Sequence, residues 1–289
     1  MGFMTYLNDL KYKYSGFSIA EKIIFLNIIF FLIPYLINTL LFLFNINSKS
    51  YIELFLLSPE LNNLIIKPWT LVTYGFIHDG FFHLFWNMLL LYYISRMILN
   101  LFSSYTFINI YFLGVIIGGI FFLLSYSFFP VFKGDFSSMG GSSAGVMGAI
   151  IFMCAYSPEN EIRLFFFNIK LKYIGVLFFV FDIIQIPYGN AGGHIAHIGG
   201  AILGFFYARN LINGRDIGSG FENLWKFFLK KRRKKATNKL FQDINKINKK
   251  PEKSYKQKSI DAILDKISKS GYESLSDKEK DFLSRYGED

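Results

Sequence analysis

An all-α polytopic membrane bundle with six spans and a helical tail is the fold class this chain predicts, and three observations predict it. Of 289 residues, 52% are hydrophobic, with 35 Phe and 18 Tyr, and the mean hydropathy is +0.33. A single soluble domain rarely reads this way. The apolar residues gather into six stretches of helix length separated by polar loops. The net charge is +10, and most of the excess lies beyond residue 212, outside those stretches. The lone Cys154 sits in an apolar stretch and excludes an intramolecular disulfide, so stability must come from packing.

The elements follow in chain order. Residues 1–20 mix Lys11 and Lys13 with Phe3, Tyr6, Leu7, Leu10 and Tyr14, the composition of an amphipathic surface helix. The first span runs from about Ile23 to Phe44 and carries Pro34, which a membrane helix tolerates when neighbours re-satisfy the freed carbonyl. This run is too long for a signal-peptide core and lacks a small-residue cleavage site, so no cleavable signal is expected. Residues 45–80 are too polar to span. With Trp69 suited to the interface, they form a long loop carrying short interfacial helices. Further spans are expected at about Phe81 to Phe102, Tyr105 to Phe129, Gly141 to Tyr156, Lys172 to Ile186 and Gly193 to Ile212, giving a membrane domain over residues 21–212. The fourth is short for a hydrocarbon core about 30 Å thick.

Basic residues set the expected orientation. Lys11, Lys13 and Lys22 precede the first span, Arg163, Lys170 and Lys172 separate the fourth and fifth, and a basic segment follows the sixth. Six crossings put all three groups on one side, so both termini are expected in the cytoplasm. Residues 213–258 read as a basic cytoplasmic linker containing the run Lys230 to Lys235. Its nearness to the last span points to anionic lipid rather than nucleic acid as its partner. Residues 259–289 read as a small helical hairpin. Ile260, Ile263, Leu264 and Ile267 have helical spacing, and Ser276 with Glu279 resembles a capping box ahead of Phe282 and Leu283. The bias towards Lys, Asn, Ile and Phe suits an AT-rich bacterial genome, and the expected location is a bacterial inner membrane.

In this topology spans two, four and six all begin at the outer face, and His83 with Asn87, Ser143, and His197 lie near those beginnings. They therefore share one depth. A serine becomes a nucleophile when an adjacent base takes its proton. His197 is the best partner for Ser143. Gly200 and Gly204 continue its helical face as a small-residue stripe, and Gly145 and Gly148 offer a thin surface on the fourth span. A buried ionised Asp is costly unless paired, which favours a Ser-His dyad over a triad. Asp182 reads as a structural group near Gln185 rather than a third catalytic member. His83 and Asn87 share a helical face and can both donate, without carrying charge, to a developing oxyanion, together with the Ser143 N–H. His78 belongs to the loop or packs structurally, and His194 either lines the pocket or makes a capping contact. A metal transporter built on these histidines would lack intramembrane carboxylates beyond Asp182 and leave the serine unexplained. Neither a metal nor a cofactor is expected.

Three segments, HDGFFHLFWN at residues 78–87, GSSAGVMG at 141–148 and AHIGGAILG at 196–204, together resemble the rhomboid family of intramembrane serine proteases. They occur in the family's order, on its second, fourth and sixth helices, and the resemblance covers roughly residues 20–212. It implies a six-transmembrane-helix rhomboid-like bundle with Ser143 as nucleophile, His197 as base and His83 with Asn87 as oxyanion stabilisers. Ser142 is a rival nucleophile, and the five-residue spacing from Ser143 to Gly148 favours Ser143. The implied substrates are single-pass membrane proteins whose helix is locally unstable near the cut, with a small residue before the bond. The alternative is a proteolytically inactive relative that binds membrane clients. Two departures stand out. Trp69 is followed by Thr70 where many members have Arg, and Ala144 follows the serine where Gly is common.

Overall fold

A computed structural model of the chain describes residues 12–46, 51–164, 166–221 and 251–286. Most of the expected amphipathic N-terminal segment (residues 1–11) and the whole of the Lys230 to Lys235 run lie outside these residues; within the former segment, residues 12–16 are helical. The chain divides into two compact units, Met1–Trp225 and Lys226–Asp289.

Among its described residues the first unit holds six long helices: α1 (Ile19–Leu43), α2 (Phe81–Leu101), α3 (Ser104–Phe128), α4 (Ser143–Tyr156), α5 (Leu171–Gln185) and α6 (Ala191–Ile212). Among the described residues, five helical stretches are long and apolar enough to cross a membrane, and α4 is a shorter apolar helix. The protein is a polytopic, mostly helical membrane protein. α1 begins four residues before the apolar run because Ser18 and Glu21 close a capping box. The Glu21 N–H donates to Ser18 Oγ at 3.2 Å, and the Ser18 N–H donates to Glu21 Oε2 at 2.6 Å. Within α1, the Tyr51 hydroxyl lies 2.7 Å from Pro34 O and 2.9 Å from Asn38 Oδ1, tying the first loop to the helix at its proline. Ser103 caps α3 by accepting from the Thr106 N–H.

Burial separates inner from outer helices. α4 is buried without interruption from Ala144 to Cys154, so it has no lipid face and needs no full membrane thickness. Its 14 residues rise about 21 Å. α5, by contrast, exposes Tyr173, Val176, Leu177, Phe181 and Ile184, the apolar surface of a helix facing lipid. Glycines bring the inner helices together. A methyl group on Gly200 would collide with the Ala144 carbonyl, and one on Gly204 with the Gly148 carbonyl. Each four-residue step along α6 thus meets a four-residue step along α4 in the same direction, and the two helices run parallel at backbone contact. Gly145 instead abuts Tyr111 of α3, and Gly114 packs against the Gly145 backbone. The Ala144 methyl faces Gly118 of α3.

The first loop carries short helices at Leu61–Ile66 and Thr70–Thr73. It holds together without an arginine after Trp69. Trp69 Nε1 donates to Leu54 O at 2.8 Å, Thr73 Oγ1 donates to Phe55 O at 2.9 Å, and buried Leu57 exchanges backbone hydrogen bonds with Met139. One element departs from an all-helical reading. Between α4 and α5, strands β1 (Glu161–Leu164) and β2 (Phe167–Lys170) pair antiparallel, with Glu161 opposite Lys170. Beside this hairpin the Glu159 carboxylate pairs with the ammonium groups of Lys170 and Lys172, which hold it down at about 2.

In the second unit, α7 (Pro251–Ser270) and α8 (Asp277–Tyr286) form a helical pair. α7 starts at Pro251, inside the stretch read as linker, with proline at the first helical position where its missing N–H is harmless. Ile263 and Leu275 are buried, Lys266 pairs with Glu279 at 2.8 Å, and Glu279 also accepts from the Ser276 N–H ahead of α8.

Candidate active site

A cavity of about 780 Å³ opens among the first-loop segment and the N-terminal ends of α2, α4 and α6, lined among others by His78, His83, Asn87, Gly141, Ser143 and His197. The four site residues expected from sequence all border it. Three helices starting at one end of the bundle supply them. His83 is the third residue of α2, Ser143 the first of α4 and His197 the seventh of α6.

The turn before α4 aims the serine. Gly141 has φ +136°, a conformation few other residues adopt, and its N–H donates to Tyr74 O at 2.9 Å. Tyr74 is itself fixed, its buried hydroxyl donating to Val115 O at 2.5 Å. A side chain at Gly141 would lie 2.9 Å from His83 Nε2 and 3.6 Å from Ser143 Oγ, so glycine leaves open the space between these two groups. As the first helical residue, Ser143 has an N–H with no intrahelical acceptor, at the positive end of the helix dipole.

His197 Nε2 stands 2.7 Å from Ser143 Oγ. Its Nδ1 lies 2.8 Å from Asp182 Oδ1, and the same carboxylate oxygen lies 2.7 Å from His194 Nδ1. Asp182 is 4% exposed. The expectation of a carboxylate-free dyad, with Asp182 near Gln185, is therefore corrected: a buried carboxylate from α5 meets two histidines of α6. The objection that buried charge is costly is met by two N–H donors converging on one oxygen. With Asp182 accepting, Nδ1 of His197 carries the proton and Nε2 presents a lone pair to the serine hydroxyl. Among the described residues, Asp182, His194 and His197 are also the cluster suited to a metal ion, their ligand atoms lying within 4.8 Å of one another. Ligation through these atoms would require both Nδ1 protons to leave.

His83 and Asn87 reach the cavity, with a change in chemistry. His83 Nδ1 lies 2.7 Å from Asp79 Oδ1, four residues earlier and ahead of the first turn of α2. An ionised carboxylate only accepts, so Nδ1 carries the proton, and Nε2 can also donate only when the ring is an imidazolium. Asn87 spends one amide proton on His83 O at 3.0 Å and keeps the second.

Ser142, the rival nucleophile, is fully buried. Its hydroxyl and its N–H lie 3.2 Å and 3.4 Å from His78 Nε2. Burial pushes the His78 imidazole down to about 4, so it is neutral and accepts from Ser142.

Comparison with known families agrees with this architecture. The model described as Rhomboid domain matches residues 66–214. A second, described as a family of unknown function (DUF6576), matches residues 244–289. A comparison with curated proteins finds no match. The family match spans α2 to α6 together with the loop that holds His78, and so the helices that carry His83, Asn87, Ser143, Asp182 and His197; this chain belongs to the rhomboid family.

Proposed function

We propose that the protein is an intramembrane serine endopeptidase that cleaves single-span membrane proteins near the outer membrane face. The observation that carries this reading is the 2.7 Å Ser143–His197 hydrogen bond on the wall of a cavity large enough to hold water and an unwound stretch of substrate. Ser143 Oγ attacks the scissile carbonyl carbon while its proton passes to His197 Nε2. The negative oxygen that results faces the Ser143 N–H, His83 and Asn87. The C–N bond breaks as His197 returns the proton to the leaving amine, leaving an acyl-enzyme. Water then attacks the ester with His197 again as base, and Ser143 is released.

Both termini face the cytoplasm of a bacterial inner membrane, and the basic segment around Lys230 to Lys235 rests against anionic lipid. The alternative, an inactive client-binding relative, leaves the serine–imidazole pairing without a purpose. The deciding assay is cleavage of a single-span substrate in liposomes by the intact protein, by Ser143→Ala and by His197→Ala. Both variants are expected to fall to background, and cleavage at the normal rate by either would overturn the reading.

A further inference from the structure

We propose that Asp182 is a positioning residue for His197 and that His194 is the group that holds the carboxylate in place, so that the working unit is Ser143–His197–Asp182 with His194 as its support. The proposal rests on the protease reading above. It begins from α5, which otherwise presents an apolar surface to lipid. A carboxylate on such a helix is expensive and marks function unless it is paired. Asp182 turns inward, 4% exposed, and one oxygen takes both its hydrogen bonds, at 2.7 Å and 2.8 Å.

A neutral imidazole has one proton and two nitrogens. If Nε2 held it, His197 could not accept from Ser143, and Asp182 removes that tautomer by demanding the proton at Nδ1. Charge supplies the second argument. At rest the trio of Asp182, His194 and neutral His197 carries a net charge of −1. When the serine proton reaches Nε2, the trio becomes neutral, with the new imidazolium in contact with its counter-ion. That interaction exists only once the proton has moved, so its loss shows in kcat rather than KM.

His194 lies one turn before His197 on the same face, the two rings nearly perpendicular at 5.6 Å. It does not reach the serine. By donating to Asp182 it supplies the second hydrogen bond that a buried carboxylate needs and prevents the side chain from swinging away from His197. A purely structural clasp between α5 and α6 would stabilise the fold without influencing the rate of serine attack.

The test compares the full-length protein in liposomes with Asp182→Asn, Asp182→Glu, His194→Gln and Ser143→Ala. It measures kcat, KM, the rate of Ser143 labelling by a fluorophosphonate, and thermal stability. For Asp182→Asn, kcat and labelling should fall by about 10²- to 10⁴-fold, as for lost orientation of a catalytic histidine, with KM nearly constant. Asp182→Glu should recover part of the loss, and His194→Gln should lose less than Asp182→Asn. Wild-type protein labelled with ¹⁵N-histidine should show a low-field Nδ1 proton on His197. Asp182→Asn at the wild-type rate, beside a dead Ser143→Ala, would remove Asp182 from this role and leave the protease reading intact. Absence of the low-field proton overturns the proposal even if the Asn variant fails to fold. Cleavage that requires added Zn²⁺ would reassign the trio as metal ligands and overturn it as well. A wild-type protein that neither cleaves nor labels would remove both readings.

Discussion

Two neighbouring serines in this protein each meet a histidine, and their environments differ in every respect that matters for chemistry. Ser142 is fully buried and turns towards His78 at 3.2 Å, whereas Ser143 borders the cavity and faces His197 at 2.7 Å. His197 has a carboxylate behind its far nitrogen. The comparison teaches that a serine–histidine contact is not a nucleophile by itself. Access, a short hydrogen bond and a tautomer fixed by a third group separate the reactive pair from the one that shapes the loop beneath it.

The sharpest way to break this contrast is to exchange the losses. Ser143→Ala should lower cleavage by about 10⁴-fold or more, as nucleophile removal does elsewhere, and comparable turnover in Ser142→Ala and Ser143→Ala would erase the distinction. A second effect belongs to the buried pair alone. His78 titrates at about 4 in the folded protein against an ordinary 6.5. The unfolded chain therefore binds the extra proton first, and this contribution to stability is complete above 6.5 and lost as pH falls towards 4. The loss reaches about 3 kcal/mol. Unfolding followed across this window should show the slope in wild type and a flatter curve in His78→Phe; parallel curves would count against it.

A smaller effect tests the other side of the cavity. His83→Ala should lower kcat by about 10²-fold through loss of an oxyanion donor, with Asn87→Ala milder because one of its amide protons is already held by His83 O. Turnover measured in both variants decides whether either group serves the oxyanion. The smallest expected change is Ser142→Ala, which should reduce stability by about 1 to 3 kcal/mol by leaving His78 without its hydroxyl partner. Its fluorophosphonate labelling should stay close to wild type, and a large drop in labelling would show that the buried pair also governs reactivity.

Much of this was legible in the chain. The six helices were readable because membrane burial is decided by local apolar content, and the stripe from His197 through Gly200 and Gly204 foretold where α6 touches α4. Two signals were present and passed over. Ser18-x-x-Glu21 marks the true start of α1, and the alternation of Glu161, Ile162, Arg163 and Leu164 is a strand pattern. Asp79 was also findable, since it precedes His83 by only four residues in the turn that leads into α2. Asp182 was different. Its partners lie 12 and 15 residues away on another helix, and no spacing rule links positions across a turn.

The amino-acid sequence alone determined which segments enter the membrane, which ends of them carry polar groups, and that glycine-lined faces would allow α4 and α6 to meet. Those properties add up residue by residue along the chain. Only the tertiary structure decided that Ser142 turns to His78 instead, that Asp79 occupies one nitrogen of His83, and that Asp182 closes on His194 and His197. A hydrogen bond is made or lost over less than 1 Å and a modest change of angle, so these pairings depend on how each helix is rotated and staggered against its neighbours, which is a property of the packed bundle and not of any one segment.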